Sequence, residues 1–416
     1  MLGPLPSRTA LVLSAWLVTV VPACLVSIPE LAEHSTEAGS DAEAGPQDAS
    51  VEADATLPEA DATLPEADVD AQSEDVADQC EAGTIDCDGD MSNGCEQVLN
   101  NAEHCGRCGH DCLGGTCAGG ACQPLLLANG IQNPYGLVKD FDYVYGTGDD
   151  ANGQVWKVPV DGCVAPENCA SLLSSGGARY KDIALDDEAL FFTDKSANRV
   201  VRIQKTGGAE CVLATGQQTP VGIAVDDTYV YWAAQSGNEI WRASKACASG
   251  SPPEVIIVST PSPQLLRLDA SGLYWTSLDG GLVSWASVDG TSTEPVWSGS
   301  TPGNFMFGLA MDDQWVYWRE GYHLSSSGTA RVARAPRDRS GTLEVLADDQ
   351  VNPRYLAIDE THVYWTADDA VRRVAKAGGD VQTLAQGYPS AHGIVVDEAA
   401  VFFCTYYGGE LYKVAK

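Results

Sequence analysis

The sequence predicts an all-β protein: a seven-bladed β-propeller closed by an N-terminal strand, preceded by a small disulfide-rich module and a disordered acidic linker. From residue 124 onward, an Asp is followed five residues later by an aromatic side chain in seven successive units of 38 to 47 residues. Each unit divides into four short segments with strand character, and no unit holds a long helical period. The seven pairs are Asp140/Tyr145, Asp186/Phe191, Asp226/Tyr231, Asp269/Tyr274, Asp312/Tyr317, Asp359/Tyr364 and Asp397/Phe402.

The third unit shows the order of segments within a blade. An apolar strand, Val221–Val225, meets an acidic turn, and the aromatic strand Tyr229–Trp232 follows. The third strand, Glu239–Ala243, has alternating character, and in other units a Gly-rich turn leads to a fourth strand. Four strands in about 40 residues are typical of a propeller blade.

The two ends of the repeat region predict how the ring closes. The last unit stops at its third strand, residues 411–416. Residues 124–128 have the character of a fourth strand, yet no blade precedes them. We therefore expect the N-terminal strand to complete the C-terminal blade, which removes the exposed edge of the last sheet.

The second strands carry a recurring signature, as in Phe191-Phe-Thr-Asp194, Tyr231-Trp-Ala-Ala234 and Tyr364-Trp-Thr-Ala367. This signature resembles the YWTD repeats of low-density-lipoprotein-receptor-type propellers across residues 124–416. The resemblance implies the architecture and a bias toward protein binding, but no individual site. Two features depart from that family. Only the second unit keeps the Asp of the signature, and this chain has seven units where the family has six blades. We expect the repeated aromatic side chains to pack between blades.

The N-terminal 79 residues predict export and a tether. Residues 1–23 have the charge and apolar run of a signal peptide, and Val21-Pro-Ala-Cys24 resembles a bacterial lipobox in which Cys24 is lipidated. Cleavage by ordinary signal peptidase is the alternative. Residues 24–79 contain 16 acids and no Lys or Arg, which predicts a disordered, extended spacer. The net charge of −34 argues against nucleic acid as a partner.

Residues 80–122 form a cysteine-rich module that is too short for a sufficient hydrophobic core, so disulfides are expected to stabilise it. Its segments 86–96 (DCDGDMSNGCE) and 104–112 (HCGRCGHDC) resemble a Cys-rich module of predicted myxobacterial surface proteins and lipoproteins, and this resemblance implies no established activity. Zinc binding through Cys105, Cys108 and Cys112 with His104 and His110 is one alternative. Weak Ca²⁺ binding through Asp86, Asp88 and Asp90 is another, and Ca²⁺ is the one candidate cofactor. The eight cysteines are Cys80, Cys87, Cys95, Cys105, Cys108, Cys112, Cys117 and Cys122.

Five further cysteines lie in the propeller, residues 123–416. Cys163 and Cys169 flank a short turn and predict a hairpin disulfide. The repeat alignment permits a bridge between Cys211 and Cys247 in adjacent blades, if their Cα atoms lie within about 7 Å. Cys404 aligns with a buried strand position and is expected to be a free thiol.

The mouth of the central channel is the expected ligand site. The residues just before the inner strands differ in chemical type from blade to blade, whereas the framework residues repeat. Both a surface adapted to a ligand and a set of unconstrained loops would show this variation. The second strands end nearby and add Arg319 and Tyr406. The varied mouth residues are Tyr135, Lys181, Val221, Gln264, Phe307, Arg354 and His392.

These observations favour an extracytoplasmic, surface-tethered or secreted monomer that binds a protein or carbohydrate and contacts membrane only through a lipid anchor. The sequence does not decide between an enzyme and a binding protein, although it favours the latter because it lacks a nucleophile or metal motif. One alternative is a Ca²⁺-dependent hydrolase or lyase using Asp149, Asp194, Asp368 and His392. Another is a structural surface protein without a specific ligand.

Overall fold

The computed structural model builds its described residues from antiparallel β-sheets. It contains no helix of the length and apolarity that a membrane crossing requires, as far as the described residues go. The structure describes residues 84–87, 95, 97–177, 179–247, 251–299, 305–321 and 329–416. Several predicted features lie outside these residues: the signal peptide, the lipidation site Cys24, the acidic tether, Cys80, Asp88 and Asp90.

The cysteine-rich module has only four two-residue strands, paired as two antiparallel ladders. Such short strands cannot hold a fold by their own hydrogen bonds, so the disulfides carry the module. Its strands are β1 (Thr84–Ile85), β2 (Gln97–Val98), β3 (Cys117–Ala118) and β4 (Ala121–Cys122).

Seven four-stranded antiparallel sheets follow, and the prediction of a seven-bladed propeller is confirmed. Strand β5 (Leu125–Ala128) precedes blade 1 in sequence. Blade 1 is β6 (Pro134–Lys139), β7 (Tyr143–Gly148), β8 (Gln154–Pro159) and β9 (Ser171–Ser175). Blade 2 is β10 (Tyr180–Leu185), β11 (Ala189–Asp194), β12 (Arg199–Gln204) and β13 (Cys211–Ala214). Blade 3 is β14 (Pro220–Val225), β15 (Tyr229–Ala234), β16 (Glu239–Ser244) and β17 (Glu254–Ile257).

The remaining blades repeat this plan, and single 3-10 turns lie at Pro166–Asn168 and Gln235–Gly237. Blade 4 is β18 (Pro263–Asp269), β19 (Gly272–Ser277), β20 (Leu282–Ala286) and β21 (Thr293–Ser298). Blade 5 is β22 (Phe305–Met311), β23 (Trp315–Gly321), β24 (Thr329–Pro336) and β25 (Glu344–Val351). Blade 6 is β26 (Leu356–Ile358), β27 (His362–Ala367), β28 (Ala370–Ala375) and β29 (Gln382–Gln386). Blade 7 begins with β30 (Ala391–Val396), β31 (Ala400–Thr405) and β32 (Glu410–Ala415).

Strand β5 is the fourth strand of blade 7, as the sequence predicts. It pairs antiparallel with β32, with Leu126 opposite Tyr412. Leu127 and Ala128 are fully buried in the core of this blade. The closure therefore combines backbone hydrogen bonds with apolar burial.

The first strand of every blade is the innermost one. Residues of all seven first strands line a central space with a volume of about 510 Å³. The aromatic side chains of the second strands are buried, as expected, with Trp232, Trp275, Trp318 and Trp365 at most 1% exposed. Packing between neighbouring blades is therefore the main apolar core of the ring.

Ion pairs join the blades at the face opposite the mouth. In blades 1, 3, 5 and 6 the Asp of the first turn accepts a hydrogen bond from a tyrosine hydroxyl of the second strand in its own blade, as from Tyr317 to Asp312. A cation from a neighbouring blade then pairs with the same carboxylate, at N–O distances of 2.5 to 3.1 Å. The pairs are Lys205–Asp140, Lys245–Asp186, Arg337–Asp269, Lys376–Asp312, Lys416–Asp359 and Lys139–Asp397.

Candidate functional site

A cavity of about 210 Å³ lies at the channel mouth. All seven residues that the repeat alignment places at the mouth line its wall, and so does Arg319. Tyr406, the other second-strand residue, is not in the wall but packs against two residues that are, Tyr135 and His392. The structure thus brings the predicted residues together in one place.

A bulge and a threonine position the mouth side chains. The register between first and second strands shifts at the mouth, for example between Tyr180 and Ile183. The Thr of the second strand then bridges two blades. Thr193 Oγ1 accepts a hydrogen bond from the bulged backbone at 3.2 Å and donates to the carbonyl of Val221 at 2.7 Å. Threonine of the recurring signature therefore fixes the backbone that carries the site.

The residue after each mouth position decides how much side chain enters the cavity. It is Gly in blades 1, 3, 5 and 7, as at Gly222, where an added Cβ would lie 2.1 Å from the carbonyl oxygen of Gln264. In blades 2, 4 and 6 it is Asp182, Leu265 and Tyr355, and all three line the cavity. Sequence reasoning missed these three residues, although the alternation of Gly with larger side chains at one repeat position was a signal for them.

His392 lies within a cage of three tyrosines. Its ring centroid is 4.3 Å from that of Tyr135, 5.1 Å from that of Tyr355 and 5.4 Å from that of Tyr406. Burial lowers the pKa of His392 to about 3, with the positive charge of Arg354 acting in the same direction. The imidazole is therefore neutral at physiological pH and can donate or accept a hydrogen bond.

The aromatic cage continues in both directions. On the outside, the ring of Tyr407 packs edge-on against Tyr406 at 4.9 Å and is 81% exposed. On the inside, Phe307 packs edge-on against Tyr355 at 5.4 Å. We call the set Tyr407, Tyr406, His392, Tyr135, Tyr355 and Phe307 the aromatic row. It leads from the rim of the mouth into the cavity.

A buried ion pair lies beside the aromatic row. Lys181 Nζ is 2.5 Å from Asp149 Oδ2 and 4.1 Å from the ring centroid of Tyr135. Arg179 also pairs with Asp149, at 3.0 Å, and the Tyr406 hydroxyl donates to this carboxylate at 3.3 Å. Burial lowers the pKa of Lys181 to about 8, although Asp149 opposes the shift.

The other wall of the cavity is cationic. Arg319 is 3% exposed, and its Nε donates to the carbonyl of Pro353 at 2.8 Å. Arg354 lies next to that carbonyl, and its only carboxylate neighbour among the described residues is Asp368, at 4.0 Å. Burial raises the pKa of Asp182, the single acid that lines the cavity.

The four residues of the hydrolase or lyase alternative do not converge into a set of metal ligands. Asp149 is paired with Lys181, and Asp194 Oδ2 is 2.8 Å from Arg199 Nε. The side chain of Asp368 is 54% exposed. Within the described ranges, the one group of three or more metal-ligating side chains is Cys105, Cys112 and Cys122.

Those cysteines are in disulfides, which overturns the zinc alternative for the module. The described pairs are Cys87–Cys108, Cys105–Cys117 and Cys112–Cys122, and Cys95 is also disulfide-bonded. The predicted Cys163–Cys169 bridge forms, and Cys211–Cys247 joins blades 2 and 3 with a Cα–Cα distance of 5.8 Å. Cys404 is a buried free thiol. These bonds indicate an oxidising, extracytoplasmic compartment.

The module contacts the end of the propeller. His110 Nε2 lies 2.9 Å from the backbone oxygen of Lys416, and Ala415 packs against Cys105, Cys112 and Cys122. Asp86 is the one described residue of the proposed Ca²⁺ set, so that site stays a prediction.

The propeller has counterparts among solved structures. Virginiamycin B lyase from Staphylococcus aureus superposes with a TM-score of 0.57 and 18% identity, covering 71% of this chain and 98% of that chain. A catalytically inactive variant of that lyase with quinupristin gives 0.58 and 18% over the same shares. The WD40 propeller domain of Doa1 gives 0.53 and 12%, covering 70% and 96%. At these identities the likeness shows the fold alone.

No family model matches the chain, and no curated protein matches it. The YWTD-type relationship of the propeller and the myxobacterial resemblance of the module therefore stay predictions.

Proposed function

We propose that this protein is an extracytoplasmic, surface-tethered binding protein whose propeller mouth holds a ligand without chemically changing it. The aromatic row carries the proposal. Five tyrosine or phenylalanine rings and one neutral imidazole form a continuous path from the exposed Tyr407 to the cavity. Rings that are apolar on their faces and polar at their tips are enriched in binding surfaces.

The position of Tyr407 supports a role in recognition. An aromatic ring that is 81% exposed gains nothing from burial in the folded chain, so stability does not explain it. It lies two residues beyond the end of β31, at the end of the strand that faces the mouth. Phe141 is comparably exposed, at 90%, but lies in the turn between β6 and β7 at the opposite face. The pair provides a matched comparison.

The experiment is a binding panel of immobilised acidic and neutral glycans and of peptides, probed with the purified protein. We expect Tyr407→Ala to weaken binding to any bound panel member at least tenfold, because its ring forms the rim of the mouth. We expect Phe141→Ala to leave that binding unchanged.

Equal binding by wild type and Tyr407→Ala would refute the mouth as the site. If no panel member binds, the structural alternative is favoured. A rise in Tm with millimolar Ca²⁺ that Asp368→Asn abolishes would instead favour the hydrolase or lyase alternative.

A further inference from the structure

The charge of the mouth opposes that of the whole protein. The chain has a formal net charge of −34, yet four cationic side chains and a single carboxylate line the cavity. The cations are Lys181, Lys195, Arg319 and Arg354. Lys181 is already neutralised by Asp149, which leaves the other three to meet a ligand. A cleft with one sign of charge concentrates ligands of the opposite sign.

Arg319 is the cation least compensated by the protein. Among the described residues its guanidinium donates hydrogen bonds only to backbone oxygens: to Pro353 at 2.8 Å, and to Phe305 and Gly321 at 3.5 Å. No carboxylate of the described residues lies within 4.0 Å of it. A buried charge without a counter-ion is costly, because desolvation is not repaid. An anionic ligand would supply the missing partner.

Two further donors of the same cavity lining also lack partners among the described residues. Gln264 is 8% exposed, and its buried Nε2 has no acceptor in the part of the chain that the structure describes. The same holds for the buried Nε of Arg354. The three residues come from the consecutive blades 4, 5 and 6 and line the same cavity. Unpaired buried donors are rare in folded proteins and call for an explanation. A carboxylate has two oxygens and about four acceptor positions, which suits such a set.

The size of the cavity limits the ligand. About 210 Å³ corresponds to roughly seven water molecules at about 30 Å³ each. This volume admits one ring or side chain and excludes a folded element. The remaining wall presents Tyr135, Tyr355, Phe307 and the neutral His392, a mixture of ring surface and hydrogen-bonding tips. A sugar ring has apolar faces and a hydroxyl rim that match this mixture.

We infer that the mouth binds the carboxylate of one acidic sugar unit, a uronic acid, between Arg319, Arg354 and Gln264, with the sugar ring against the aromatic row. This inference rests on the proposed function and names its ligand class.

The test is titration calorimetry of the full mature protein with glucuronate and galacturonate, against glucose and galactose as uncharged controls. We expect the uronates to bind at least tenfold more tightly than the neutral sugars. Their affinity should fall as salt rises, because part of the attraction is electrostatic. Arg354→Gln and Gln264→Leu should each weaken uronate binding at least tenfold. Arg373→Gln, which loses an exposed hydrogen bond to Gln382 on the outer strands, should not.

Several results would overturn the inference. Equal binding of neutral sugars and uronates, still lost in Tyr407→Ala, would remove the acidic class and leave the proposed function standing. An acidic peptide that competes better than the uronates would replace the sugar class by protein. Arg354→Gln and Gln264→Leu could also bind uronates as tightly as the wild type while their Tm shows that they are folded. The uronate carboxylate would then bind at some other place than these residues. Binding that also ignores Tyr407→Ala would refute the proposed function itself.

Discussion

The pairing of Asp312 with Lys376 offers a quantitative test of how blades are held together. The Asp312 carboxylate accepts hydrogen bonds from Lys376 Nζ at 2.6 Å and from the Tyr317 hydroxyl at 2.8 Å. The backbone amides of Gln314 and Trp315 donate to it at 3.0 and 2.9 Å. Asp312→Asn keeps the size of the side chain but removes its charge, so it isolates the ionic part of this network.

The expected magnitude follows from exposure and geometry. A hydrogen bond to a charged group contributes about 1.5–3 kcal/mol when buried. The side chains here are 15% and 28% exposed, so solvent screening reduces the contribution. We expect a coupling free energy of about 1–2 kcal/mol between Asp312→Asn and Lys376→Met in a double-mutant cycle.

The assay is urea unfolding of the wild type, both single variants and the double variant at pH 7. The matched control is Asp313→Asn, because Asp313 is exposed and makes no hydrogen bond or ion pair in the described structure. We expect that control to change the free energy of unfolding by less than about 0.5 kcal/mol. A coupling below about 0.3 kcal/mol would refute the reasoning.

The pKa of Asp312 determines how the stability difference between wild type and Asp312→Asn changes with pH. Burial raises the pKa of Asp312, but hydrogen bonds from Lys376, Tyr317 and the turn amides outweigh it and hold the pKa below its ordinary value of 3.8. A carboxyl with a lowered pKa in the folded state stabilises the fold above its unfolded pKa, and this contribution is lost as pH falls through the folded value. The difference between wild type and Asp312→Asn should therefore be complete at pH 7 and shrink below about pH 4. A difference that grows on acidification would contradict the assignment.

Two further predictions concern the closing blade. Leu127→Ala should lower the free energy of urea unfolding by about 2–5 kcal/mol, because Leu127 is fully buried. The control Leu172→Ala, at a 52% exposed position, should lower it by less than about 1 kcal/mol. Equal losses in the two variants would mean that β5 is not part of the core. Burial raises the pKa of the Cys404 thiol to about 12, so a thiol reagent should leave it unlabelled at pH 8 in the native protein and label it in urea. Rapid native labelling, read by mass, would show that this strand is accessible.

The sequence was enough for the propeller because the same constraint recurs seven times. A single Asp-to-aromatic spacing is weak, but its repetition fixes the register of every blade, and the register in turn placed Tyr135, Gln264 and His392 around one cavity. The closure could be predicted because the last unit lacks a fourth strand, whereas residues 124–128 supply an extra strand before the first unit.

The parts that could not be predicted depend on contacts between units. Asp182 enters the cavity at a bulge in the first strand of blade 2, and strict alternation of side chains does not describe a bulge. The lack of a carboxylate beside Arg319 among the described residues is likewise a three-dimensional fact, since nothing near Arg319 in sequence marks its burial. The pairing of eight cysteines in the module was also beyond the sequence, which permits 105 connectivities.

The closure of the ring by β5 has a consequence for how the chain folds. The first strand of the propeller, β5, pairs with its last strand, β32, so this contact spans nearly the whole propeller. Contacts between residues distant in sequence form slowly, because the chain loses the entropy of closing a long loop before the contact can stabilise it. Until β32 arrives, the first blade lacks a neighbour and β5 has no partner. The ring therefore stays incomplete during synthesis until β32 has been made.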